Sequence, residues 1–115
     1  MQFSFVTSAL LALCVKAATA SDTGPAISYT PGGIIGTCGV AIQDSDFSVA
    51  LDNTQFGTGG LCGRSVRVSY GGKSATVTIA DKCPTCVAGI GLTPAAFEYF
   101  APLSSGWFEA TWEFL

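Results

Sequence analysis

Between Val66 and Ile79 the chain alternates apolar and polar residues twice, with two glycines in the middle. Val66, Val68 and Tyr70 alternate with Arg67 and Ser69. After Gly71-Gly72, Ala75, Val77 and Ile79 alternate with Ser74, Thr76 and Thr78. A period of two sends every second side chain to one face, and a Gly-Gly pair suits a tight two-residue turn. A β-hairpin with one buried face must therefore sit inside whatever fold the chain adopts. Further short strands are expected at Ile27–Thr30, stopped by Pro31-Gly32-Gly33, at Phe47–Leu51, and at Trp107–Leu115, with Trp112 in the core. Asp22–Ala26 reads as a polar lead-in, and 53–63 and 81–91 read as glycine-containing loops. One short helix is expected over Ala95–Phe100: Thr93 can cap it, Pro94 suits its first position, and Pro102 follows its end. Many short strands with one short helix argue for a small β-barrel or sandwich.

The N-terminus has a different character. Phe3–Val15 is mostly apolar, and Ala18-Thr19-Ala20 provides the small residues that signal peptidase accepts, so residues 1–20 read as a signal peptide cut before Ser21. The apolar run is shorter than the ~20 residues a membrane span needs. The expected product, 21–115, is one soluble domain outside the cell or in the cell wall, with a monomer as the working expectation. It keeps four basic residues (Arg64, Arg67, Lys73, Lys82) against eight acidic ones. That balance offers no footprint for nucleic acid and no attraction to anionic membrane.

Four cysteines remain after Cys14 leaves with the signal: Cys38, Cys62, Cys83 and Cys86. In an oxidising compartment they read as two disulfides, with three pairings open on arithmetic alone. Cys83-Pro84-Thr85-Cys86 could close on itself, leaving Cys38 with Cys62. A zinc site is disfavoured because only one CxxC pair exists, and no metal or other cofactor is expected. A redox role for Cys83 and Cys86 is disfavoured because Pro84 and the glycines after Cys86 suggest a loop rather than a helix start.

The chain has no histidine, which excludes Ser-His-Asp and Cys-His nucleophilic sites. Carboxylates are what remain. Asp81 ends the best-patterned strand just before the cysteine loop, where it can serve chemistry or brace that loop, and the brace is the favoured reading. Asp44 and Asp46, in Gln43-Asp44-Ser45-Asp46, suit turn caps better than catalysis.

Several segments fall in a specific order: Thr37-Cys38-Gly39, Phe47–Leu51, Cys62-Gly63-Arg64, Val77–Pro84, Gly91–Phe97 and Trp112-Glu113-Phe114. Together they resemble the RlpA-like double-psi β-barrel, in its small secreted fungal form, from Tyr29 to Phe114. The resemblance implies a mainly β, six-stranded barrel with one short helix, shared with barwin and the first domain of expansins. By similarity to barwin it implies a Cys38–Cys62 disulfide. Active members of the family carry two aspartates beside a groove. The first falls on Asp81; the second falls on Gly91, which has no carboxyl. Double-carboxylate hydrolysis is therefore not expected unless Asp44 or Asp46 reaches over. The leading expectation is a non-catalytic barrel that binds cell-wall polysaccharide near Asp81, Asp44 and Asp46, with Tyr29 as a stacking face and Thr30 supplying hydroxyl contacts. The alternative is an inhibitor of a secreted cysteine protease, or an effector. A wall-loosening or lytic enzyme using Asp81 stands third.

Overall fold

The computed structural model describes residues 21–115; the proposed signal segment lies outside the described residues. The elements are β1 (Asp22–Ser28), β2 (Ser48–Leu51), α1 (Asn53–Phe56), β3 (Ser65–Tyr70), β4 (Lys73–Lys82), β5 (Ile90–Leu92), α2 (Pro94–Phe100) and β6 (Trp107–Phe114). A 3-10 turn at Leu103–Ser105 leads into β6. The expected hairpin is β3–β4, in register from Ser65↔Thr78 to Tyr70↔Lys73. Gly71 and Gly72 sit at φ of 60° and 82°, left-handed values that the tight hairpin turn demands and that glycine adopts freely.

The six strands close into a barrel in the order β1-β5-β2-β4-β3-β6, and β6 pairs back with β1. Two neighbouring pairs are parallel, β1 with β5 and β2 with β4; the others are antiparallel. Parallel neighbours need long crossovers, and here the connection from β2 to β4 lies within the stretch of chain that joins β1 to β5. The result is the disulfide-stapled double-psi barrel that the resemblance implied. Closure pairs every one of these six strands on both sides.

The alternating residues fill the interior. Val66 and Val68 from β3, Val77 and Ile79 from β4, and Phe108, Ala110 and Trp112 from β6 are buried together with Phe97 of α2. Each fully buried aliphatic or aromatic side chain contributes about 1.5–3 kcal/mol. Trp112 is in the core as expected, and its indole nitrogen donates to Gln55 Oε1 at 2.7 Å. No helix among the described residues is long and apolar enough to cross a membrane.

Four expectations are corrected. β1 begins at Asp22 rather than Ile27, because Asp22–Ala26 pairs with β6 through its backbone, from Asp22↔Trp112 onwards. Tyr29 and Thr30 lie past its end. Ile90–Leu92, read as the close of a loop and the approach to α2, is a strand held between β1 and β2. The 53–63 loop contains the single turn α1, capped by Asp52, whose Oδ1 accepts from the Gln55 amide at 2.8 Å. Finally, Thr93 occupies the cap position of α2 without a side-chain cap bond. Its buried hydroxyl donates to the Asp46 carbonyl and accepts from the Ser48 amide, tying the helix to β2.

Candidate functional site

β4 positions the residue that sequence reading placed at the centre. The β2–β4 register runs Val49↔Ile79 and then Ala50↔Asp81, so Ala80 is an extra residue on β4. Strict alternation would have put Asp81 on the inward face with Val77 and Ile79. The bulge buries Ala80 instead and leaves Asp81 half-buried at the surface. There Asp81 Oδ1 accepts from the Thr37 amide, the Thr37 hydroxyl and the Lys82 amide, each at 2.8 Å. Charge-assisted bonds of this kind fix a carboxylate firmly. Asp81 thus joins the 31–42 segment to β4.

That segment is a small hairpin that sequence reading left unassigned. Gly33 donates to the Ile42 carbonyl (2.7 Å), Ile42 to Ile34 (2.9 Å), and Gly36 to Val40 (3.0 Å). Ile35 and Ala41 form a bridge. Its base is anchored by buried Pro31 and Ile42, and its flank by the Cys38–Cys62 disulfide and a bond from the Cys38 amide to the Ala80 carbonyl (3.3 Å). Gly36 is needed for this close approach: a Cβ there would lie 2.6 Å from both the Ala80 carbonyl oxygen and Ile42 Cδ1. Outward from the base stand Ile34, Ile35 and Val40, exposed at 55%, 66% and 55%. The signal in the sequence is an uncharged stretch, residues 31–43, with two glycine turn sites and four branched aliphatics. Behind the hairpin lies an open groove of about 520 Å³ lined mainly by Val40, Ile42, Phe47, Ile79 and the disulfide.

The other predicted residues separate into two groups. Tyr29 lies beside Gly91 and Asp81. A Cβ on Gly91 would meet Tyr29 Cδ1 at 3.2 Å and Cys86 Sγ at 3.4 Å, so the ring occupies the room a side chain at 91 would need. The Tyr29 hydroxyl is buried without a partner among the described residues. Burial, then the nearby Asp81 carboxylate, push this phenol from the ordinary 10.0 up to about 12. Thr30 is exposed next to it. Asp44 and Asp46 sit on the following turn as loop braces: Asp44 Oδ1 accepts from the Gly32 amide (2.9 Å) and Asp46 Oδ2 from the Gln43 amide (2.8 Å). Cys38 pairs with Cys62 and Cys83 with Cys86. Among the described residues no group of three or more His, Cys, Asp or Glu is placed to hold a metal ion.

The Tyr29 hydroxyl yields a prediction. Tyr29→Phe removes an unpartnered buried group, so stability at neutral pH is expected to stay level or rise by up to about 1 kcal/mol. A urea melt showing a loss above about 1 kcal/mol would mean that the hydroxyl has a partner. The fold favours the neutral phenol. The contribution of this group is therefore full below pH 10 and is lost as pH rises through about 12. Ultraviolet titration of phenolate should show a late-ionising tyrosine that disappears in the variant.

No family model matches the chain. A papain inhibitor from Streptomyces mobaraensis is 45% identical over 53 residues, a match covering 44% of this chain and 37% of that protein. That alignment spans little more than a third of the relative's length. Among solved structures, a Streptomyces papain inhibitor superposes with a TM-score of 0.76 at 38% identity, covering 84% of this chain and 94% of that one. The chain belongs to the barwin-like double-psi β-barrel family. A second double-psi barrel, a mutant expansin of Clavibacter michiganensis in complex with cellohexaose, superposes equally well, with a TM-score of 0.76. It is 22% identical, and the match covers 84% of this chain and 50% of that one. It shares the barrel fold.

Proposed function

We propose that this double-psi barrel is a secreted, non-catalytic binding domain that inhibits papain-type cysteine proteases. The supporting observation is the 38% identity kept across 94% of a papain inhibitor of the same fold. The site supports it in two ways. The position of the second family carboxylate is Gly91, closed over by Tyr29, and Asp81 is engaged in bracing a loop. Two disulfides suit an extracellular setting and a rigid binder. Titration of papain with residues 21–115 should give tight, stoichiometric inhibition with a nanomolar constant and no cleavage of the barrel. Full papain activity at micromolar protein would overturn this reading.

A second reading, binding of cell-wall polysaccharide, is favoured by one feature: Tyr29 beside Asp81, with exposed Thr30 next to it in the chain. The solved expansin that shares the barrel holds cellohexaose. Retention on insoluble cellulose, chitin or peptidoglycan that weakens in a folded Asp81→Asn variant would support a groove there. Retention on none of them would remove this reading.

A further inference from the structure

Resting on the inhibitor reading, we propose that the hairpin of residues 31–42 is the surface that enters the protease substrate cleft. Ile34, Ile35 and Val40 are its anchors, and Asp81 is the positioning residue that presents them.

The composition of the hairpin has no folding explanation. Turn segments are ordinarily polar, yet this one places three large aliphatics more than half in solvent. They contribute nothing to the core, which is filled from the strands and α2. They project from both faces of one narrow ribbon, Ile35 opposite Ala41 and Val40 on the other face, and Val40 lines an open groove of about 520 Å³ whose rim includes half-exposed Phe47. Three large aliphatics exposed within one short ribbon mark a contact site. Three features of the same element identify the occupant. Residues 31–43 carry no charge in a chain whose described part is otherwise acidic, so the tip can enter a dry cleft without desolvating an ion. A two-stranded ribbon is about 5 Å from strand to strand, narrow enough for a groove built to hold an extended peptide with apolar side-chain pockets. The relative that matches almost from end to end is a papain inhibitor.

The hairpin is also held still. The Cys38–Cys62 disulfide, the Cys38-to-Ala80 bond, buried Ile42 and the two Thr37 bonds to Asp81 fix it on different sides. Ordering a loop on binding reduces affinity, and a loop ordered beforehand avoids that cost. The carboxylate at Asp81 therefore works through Thr37 rather than on a bound molecule.

Papain inhibition constants would be measured for the wild-type barrel, Ile34→Ser/Ile35→Ser, Asp81→Ala and Asp81→Asn, with a urea melt and amide hydrogen exchange for each. The double serine variant should weaken inhibition by about 100-fold, the scale of a lost anchor pair, with an unchanged melt. Asp81→Ala should weaken it by about tenfold through lost pre-organisation, with faster exchange confined to residues 34–40. Asp81→Asn, whose amide oxygen accepts from the same Thr37 donors, should recover most of that loss. Inhibition by the wild type that persists unchanged in the double serine variant would overturn the surface assignment alone. The same holds if that variant dissociates a dimer in sedimentation while inhibition stays intact. A wild type that does not inhibit papain would instead sink the inhibitor reading, and this surface with it.

Discussion

Gly91→Asp, which places a carboxylate where the sequence resemblance implies one, is expected to destabilise the barrel by about 3–5 kcal/mol and to create no hydrolase. Gly91 is buried in β5, in register with Ile27 and Ala50. Its Cβ would press on Tyr29 at 3.2 Å and on Cys86 Sγ at 3.4 Å. The carboxylate beyond that Cβ would have to displace the ring or stay among apolar atoms without a counter-ion, near the existing charge of Asp81. Burial without a partner and a like charge both disfavour the ionised form. The check is a urea melt of the variant, together with an assay for reducing ends released from soluble glucan. A double variant with Tyr29→Ala should recover part of the lost stability, because the ring is the obstacle; a double-mutant cycle isolates that coupling. A Gly91→Asp barrel as stable as wild type would show that the ring moves aside readily and that packing does not exclude a carboxylate here.

Breaking the Cys38–Cys62 bridge should have the next largest effect. Its partners are 24 residues apart, and a closed loop of that length is worth about 3–4 kcal/mol in the chain-entropy account. The bridge crosses from the 31–42 hairpin to the turn before β3, so Cys38→Ser/Cys62→Ser should lose both global stability and the fixed pose of Ile34, Ile35 and Val40. Cys83–Cys86 spans only three residues, constrains the unfolded chain less, and should matter correspondingly less to the melt. Thermal and urea melts of the two paired-serine variants test the ranking. A loss below about 1 kcal/mol for the longer bridge would mean that Pro31, Ile42 and the Asp81–Thr37 bonds hold the hairpin unaided.

If the hairpin is the binding element, Asp81 acts as a strut beneath it, through its bonds to Thr37. The geometry that permits this is the bulge at Ala80. It turns Asp81 outward and aims the Ala80 carbonyl at Cys38 in the same step. One inserted residue thus sets both anchors of the loop on the β4 side.

Some of this was decided by the sequence alone. The β3–β4 hairpin, the inward Trp112, the β6 alternation and the α2 position follow from periodicity and from Gly and Pro placement, which act between neighbours along the chain. The turn-bracing roles of Asp44 and Asp46 were legible for the same reason: each carboxylate reaches a backbone amide no more than 12 residues away. The ordered motifs carried the barrel topology and the disulfide pairing by resemblance. Only the tertiary structure decided the rest. Asp22–Ala26 became strand because β6, some 90 residues on, offers its backbone, and backbone pairing leaves no side-chain pattern to read. The bulge at Ala80 exists only against β2, so strand alternation in β4 could not reveal where Asp81 points. The Tyr29 ring over Gly91, and the apolar hairpin held by Asp81 and Cys62, are likewise contacts between distant segments. Local patterns record which face of an element meets water; which elements meet each other depends on how the barrel closes.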